Sequence, residues 1–478
     1  MKKIARISIS VILALSIVFS VASVAFATEK KCDCGEDPII YVAALGSATL
    51  YKDADTENEQ VVFRPETEAY LKMVGSLLIP IVKLVADKDY ASFGDSLSGA
   101  VMDVFGSLAN AEDGSSTPDI TTKEELPTDP AHGLEYSYYF GYDFRADPLV
   151  VADDLNAYVQ HVKELTGHDK VRFRASSMGG VMAMAYFSKY GSDDVKSVIF
   201  QNCPIRGTAV AGALFCGEVE INPVALYRYA ESAIRTMVPG FGGDVLNILV
   251  KVLNTAGVFE VLTDFAGGLV DKLVDQVFDD ALIPVFRANC GIWSFVPDEY
   301  YEDAKKFMLG DNPNEKLVER IDAYHYGVQC KADEILNGLI ADGVPVMIVS
   351  ATNVQRTPLV TAWRNDSDGT VDTKFSSVDA TVADHAETLG DDYSQKNTAC
   401  GHDHISPDGR IDASTCALPE QTWFVKDMMH CTTHEGHASL YRWFWENDDQ
   451  ILTIRSNPDY PQFLQNDIEN EKLLPEVK

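Results

Sequence analysis

Between Leu134 and Cys203 the chain alternates between two hydrophobic periodicities, and this alternation narrows the accessible folds more than any other feature. "LEYSYYFGYDF", "KVRFRAS" and "VKSVIFQNC" are short runs rich in β-branched and aromatic residues, the composition of strands. Between the first two lies "PLVVADDLNAYVQHVKELTG", where Val151, Leu155, Tyr158, Val159, Val162 and Leu165 keep helical spacing and Gly167 ends the pattern. Between the last two, the hexad "ASSMGG" opens a second, strongly apolar helix. Strand–helix–strand units join parallel strands, because the crossover must span the sheet and bury one face on it. The expected class is therefore α/β, with a mainly parallel sheet covered on both faces.

The rest of the chain extends this pattern and interrupts it. "PIIYVAALGSATLY" begins as a strand and ends in a small-residue turn around Gly46 and Ser47. Residues from about Arg64 to Leu108 read as helical, and a polar loop follows. From Pro204 to about Asp342 the alternation fails and the chain is mainly helical. There Leu262, Phe265, Leu269 and Leu273 form one stripe beside Asp264, Asp271 and Asp275, and such charges argue against a membrane span. Strand-like "GVPVMIVSA" and "TWFVKD", then the helix "HASLYRWFWE", resume the alternation. The expected organisation is a core in two parts, 28–203 (with a helical insertion near 64–130) and 343–478, separated by a helical cap at 204–342.

The opening "MKKIARISISVILALSIVFSVASVAFATEK" has a basic start, an uncharged apolar stretch and small residues at Ala25 and Ala27. It reads as a secretory signal, 1–27, cleaved after Ala27, against the competing reading of a retained anchor. Export is the expectation. The formal charge of −33 becomes more negative once Lys2, Lys3 and Arg6 are removed. So acidic a chain argues against nucleic acid and anionic bilayers as electrostatic partners. Nine cysteines, an odd number and without a CxxC pair, leave at least one thiol outside any intramolecular disulfide.

"ASSMGG" contains two adjacent serines where a strand meets a helix. A serine nucleophile held on a tight strand–turn–helix junction needs small residues two before and two after it, because strand and helix cross there in contact. Ser176 has Arg174 and Met178 at those positions; Ser177 has Ala175 and Gly179. Only Ser177 fits, with alanine where glycine is usual. The bland reading is a helix N-cap.

A serine hydroxyl needs a general base, and the base needs an orienting carboxylate. After "VPVMIVSA" come Asp366, Asp368 and Asp372, and Asp368 is favoured because "DGTV" turns the chain just beyond it. After "TWFVKD" come His430, His434 and His437, of which His430 is the expected base and His437 its rival. His402, Asp403 and His404 in "CGHDH", with His434 and His437, also suggest a metal set. No HExxH spacing supports it, and neither metal nor cofactor is expected.

"GYDFR", "KVRFRASSMGG" and "NDSDGTVDTKFSS" resemble the lecithin:cholesterol acyltransferase and bacterial triacylglycerol lipase branch of the α/β-hydrolases. The likeness runs in order from Ile39 to Trp445 but is close only at these motifs, and "GIWSFVPDEYY" is similar to segments that follow the cap in such lipases. It implies an α/β-hydrolase fold and a triad of Ser177, Asp368 and His430. It also implies an oxyanion hole from the backbone N–H groups of Leu45 (or Ala44) and Met178. Asp143 and Arg145 would brace the sheet edge. The implied activity is a secreted serine esterase or lipase acting on acyl esters, with the helical cap as a lid making transient contact with lipid interfaces. No protein partner is expected. An acyltransferase, or a non-catalytic lipid-binding scaffold, is the alternative.

Overall fold

A computed structural model describes residues 32, 34–46, 48–63, 90–117, 119–220, 222–225, 227–229, 251, 276–358 and 360–477. The expected signal segment, the apolar stripe from Leu262 to Leu273 and the helical reading of 64–89 lie outside these residues.

Eight strands form one sheet: β1 (Ile39–Val42), β2 (Ser137–Phe140), β3 (Val171–Ser176), β4 (Val195–Gln201), β5 (Val346–Thr352), β6 (Thr422–Lys426), β7 (Phe463–Asp467) and β8 (Lys472–Pro475). Their spatial order is β8-β7-β6-β5-β4-β3-β1-β2. Every pairing is parallel except that of β7 with β8. This is the mainly parallel α/β sheet that the alternation implied.

Alternate residues of the central strands face opposite layers, as the twofold strand repeat demands. Ile40, Val42, Val198, Phe200, Val346 and Ile348 point into one apolar layer. Ile39, Ile199, Met347 and Val349 point into the other. The longer helices are α1 (Tyr90–Phe105), α2 (Pro148–Thr166), α3 (Met178–Tyr190), α4 (Ala209–Phe215), α5 (Asp298–Leu309), α6 (Glu315–Tyr324), α7 (Ala332–Ala341) and α8 (Glu435–Glu446). The first layer packs on α2, α3 and α7 and the second on α8. Each fully buried Leu, Ile or Phe contributes roughly 1.5–3 kcal/mol to this arrangement.

Two details depart from the linear reading. The insertion near 64–130 is framed by a small antiparallel sheet of Leu50–Lys52, Gln60–Phe63 and Ile120–Thr121, with α1 between the last two of these strands in the chain. The end of the 204–342 segment joins the main body, since Tyr324, Val328, Leu336 and Leu339 share the apolar layer of α2 and α3. Short polar spacers hid the hairpin, and helical periodicity alone does not reveal which body a helix packs on.

Arg145 is fully buried and donates from Nε (2.9 Å) and Nη2 (2.6 Å) to Asp143. The pair lies just beyond the end of β2. A second buried pair, Arg172 Nε to Asp448 Oδ2 at 2.7 Å, ties the chain after α8 back to β3.

Candidate active site

Strand β3 and helix α3 meet at Ser177, whose φ of 50° and ψ of −123° depart from ordinary strand and helix geometry. A non-glycine residue held there stores about 1–3 kcal/mol of strain, which the surrounding structure must offset. It does so locally, because Ser177 N donates to Gln201 O at 3.0 Å and Ser177 O accepts from Gly180 N at 2.9 Å. The crossing is close. A Cβ at Gly179 would lie 2.0 Å from the carbonyl oxygen of Val42, and one at Gly180 would lie 2.3 Å from Cys203 Cβ. Ala175 pairs in register with Val42 and Phe200 and is fully buried in the apolar layer, so its methyl group is accommodated. Ser176 is also buried and has its Oγ 3.5 Å from Cys431 Sγ.

His430 lies in the loop after β6 with its Nε2 2.9 Å from Ser177 Oγ. Its Nδ1 is 2.6 Å from Asp368 Oδ2. The other carboxylate oxygen, Asp368 Oδ1, accepts from the amides of Thr370 (2.9 Å) and Val371 (2.7 Å). The "DGTV" turn therefore clamps the carboxylate with one edge free for His430. The two loops are also joined through the backbone, where His430 N donates to Asp368 O at 2.8 Å. Three side chains separated by up to 253 residues thus form one hydrogen-bonded chain.

Burial alone would push the His430 imidazole down, but the Asp368 carboxylate and then the Cys431 sulfur outweigh it and hold it well above the ordinary histidine range. Burial pushes the Cys431 thiol up, yet the adjacent His430 brings it below the ordinary thiol value. Cys431, at φ 55°, is a neighbour of the serine and histidine that motif reasoning missed. Only its position directly after His430 signalled it.

The remaining sequence candidates separate cleanly. Asp366 accepts from Asn353 N at 3.0 Å, sits beside Thr352 Oγ1 and is 3.0 Å from His385 Nδ1. Asp372 is paired with buried Arg356 at 2.7 Å and caps Ala209 N at 2.8 Å. Both carboxylates brace loops around Asp368. His437 is fully buried and is pushed down to about 3 by burial and by His434. Its Nδ1 accepts from His434 N at the start of α8 rather than serving Ser177. The grouping of "CGHDH" with His434 and His437 does not form. His434 Nε2 pairs with Asn466 Oδ1 at 2.5 Å, and Asp403 Oδ1 accepts from Ile405 N. His402 and His404 instead meet Cys400 and Glu420, since their loop folds back on the turn before β6.

No family model matches the sequence, and no curated protein does. Among solved structures, a chain of the crystal structure of the Tle4-Tli4 complex aligns at 14% identity over 37% of this chain and 47% of that one, with a TM-score of 0.20. So weak a likeness carries no argument about fold or chemistry.

Ser177 and His430 open onto a cavity of about 580 Å³, within the range of small-molecule sites. Its walls are mostly apolar, including Leu214, Phe215, Phe278, Leu282 and Phe286 from the 204–342 segment. Ala44 and Leu45, from the turn after β1, line the same space. Met178 is the first residue of α3, so its amide precedes the intrahelical hydrogen bonds. The arrangement can deprotonate a serine hydroxyl beside an apolar chamber.

Proposed function

We propose that the protein is a secreted serine esterase or lipase with an α/β-hydrolase fold. The observation that carries this reading is the Ser177–His430–Asp368 chain, with its serine on a strained turn at the mouth of an apolar cavity. Ser177 Oγ attacks the ester carbonyl carbon while its proton passes to His430 Nε2. Asp368 holds Nδ1–H and stabilises the imidazolium that forms. The tetrahedral oxyanion accepts from the Met178 amide and from the amide of Leu45 or Ala44, each donor worth about 3–4 kcal/mol. The imidazolium then protonates the departing alkoxide, leaving an acyl-serine. Water, deprotonated by His430, hydrolyses that acyl-enzyme and restores the hydroxyl.

The apolar walls favour an acyl chain over a polar or charged substituent, which makes lipid esters the preferred class. The helices of 204–342 that line the cavity would act as the lid. Among the described residues no helix is long and apolar enough to cross a membrane. Export is supported by the leader-like pattern at 1–27.

Ser177→Ala should abolish hydrolysis of short p-nitrophenyl esters and covalent labelling by a fluorophosphonate while leaving the melting temperature near that of the parent. Full activity in that variant would overturn the mechanism, and an unlabelled parent chain would favour a non-catalytic scaffold. Product analysis with added glycerol or sterol separates hydrolysis from acyl transfer.

A further inference from the structure

At the opposite end of the sheet from Ser177, four side chains from three separate segments converge. Cys32 and Cys34 precede β1, His132 lies in the loop before β2, and His168 follows Gly167, the left-handed residue that ends α2. Their ligand atoms all lie within 4.8 Å of one another. Cys34 Sγ is 3.2 Å from His132 Nε2 and 3.3 Å from His168 Nε2, and Cys32 Sγ is 3.8 Å from His132 Nε2. A tetrahedral zinc with Zn–S of about 2.3 Å and Zn–N of about 2.0–2.1 Å requires S···N separations of about 3.6 Å. The observed values bracket that figure.

The surroundings orient the ligands. His132 Nδ1 is 2.9 Å from the carbonyl oxygen of Pro130, so it carries the proton and leaves Nε2 as the ligand atom. Cys34 Sγ accepts from Glu36 N at 3.4 Å, as a thiolate ligand commonly does. Cys32 N donates to Gly167 O at 2.8 Å, fixing the cysteine arm beside His168. Neither sulfur is in a disulfide, and His168 is buried.

We propose that Cys32, Cys34, His132 and His168 bind one zinc ion in a closed, structural site. Two thiols each lose a proton and two neutral imidazoles keep theirs on Nδ1, so a divalent ion and two thiolates leave the centre neutral. Four protein ligands leave no open position for substrate, and the site lies beyond the far ends of the strands from Ser177. Its role is to staple the segment before β1 to the loop before β2 and to the end of α2.

A second cluster carries the same inference on separate observations. Cys400 Sγ is 3.1 Å from His404 Nε2, and Glu420 Oε1 is 3.4 Å from that nitrogen and 2.6 Å from His402 Nδ1. His404 is fully buried, and Gln462 Oε1, 2.8 Å from its Nδ1, turns Nε2 toward the cluster. This one-thiolate set would hold a second zinc between the 395–412 loop and the turn preceding β6.

The test is metal analysis of the full chain, loaded with zinc and then dialysed, together with thiol titration before and after chelation. About two zinc ions per chain are expected, falling to about one in Cys34→Ser and in Cys400→Ser, and to none in the double variant. Chelator should lower the melting temperature of the parent and make Cys32 and Cys34 newly reactive toward a thiol reagent. With cobalt(II), thiolate-to-metal charge transfer should weaken in each single variant, more in Cys34→Ser than would follow from loss of the one-thiolate set. Because a variant can fail for folding reasons alone, chelation of the unmodified chain is the second measurement. Zinc content unchanged by Cys34→Ser, or a Cys32–Cys34 disulfide in the purified protein, would overturn the first site. Zinc content unchanged by Cys400→Ser would overturn the second, and a parent chain that retains no zinc would overturn both.

Discussion

Replacing Asp368 by asparagine tests the catalytic reading at its most structure-dependent point. In the parent, Asp368 Oδ1 is clamped by two amide donors, Thr370 N and Val371 N, and Oδ2 faces His430 Nδ1 at 2.6 Å. An asparagine side chain must keep its carbonyl oxygen on the two amides, because turning its NH₂ toward them would leave three donors facing one another. The NH₂ group is therefore forced toward His430 Nδ1, which must become an acceptor. The imidazole proton moves to Nε2, and that nitrogen then donates to Ser177 Oγ instead of receiving its proton. The loss of kcat expected for this wrong tautomer is about 10³–10⁴-fold, or roughly 4–5.5 kcal/mol of transition-state stabilisation. KM for a short p-nitrophenyl ester should change little, because the cavity walls are untouched. Asp368→Asn should fold, since one hydrogen-bonding side chain replaces another of the same shape. A folded variant that keeps kcat within about ten-fold of the parent would refute the assignment of Asp368, and with it the argument from the clamped turn.

Three further outcomes follow from the same geometry. His430 must be neutral to accept the serine proton, and its folded pKa is raised, burial opposing and Asp368 and Cys431 prevailing. Activity should therefore be lost as pH falls through a midpoint above about 6.5, and the residual activity of Asp368→Asn should show that limb at lower pH; a parent midpoint below the ordinary histidine value would contradict this. Gly179→Ala places a methyl carbon 2.0 Å from a backbone oxygen, so a destabilisation of about 3 kcal/mol or more is expected as a lower melting temperature or insolubility. An unchanged melting temperature would show that the strand–helix crossing is looser than described. Leu214→Trp fills part of the cavity and should lower kcat/KM for a long-chain p-nitrophenyl ester about ten-fold relative to the acetate. Equal effects on both esters would mean that the acyl chain lies elsewhere.

Much of the site was legible from short-range pattern. The residues flanking the two serines alone distinguish Ser177 from Ser176, because the constraint acts over two residues on either side. Asp368 was favoured by the glycine that follows it, and that turn supplies the two amides which hold its carboxylate. The choice between His430 and His437 was not local. Both follow the same strand, and only the path of the loop, with Asp427 and Cys431 at positive φ, turns His430 toward the serine and leaves His437 in the cap of α8. Arg356, which pairs with Asp372, and Cys431 likewise have no motif to announce them.

The clearest division lies between the two ends of the sheet. By itself the sequence determined the strand–helix alternation, the elbow at Ser177 and the order of its partners, because each depends on periodicity or spacing within a few residues. Tertiary structure alone brought His168 to Cys34 across 134 residues, and His402 and His404 to Glu420 rather than to His434. Such meetings depend on strand register and loop path, which are set by packing of the whole sheet, so no local spacing encodes them.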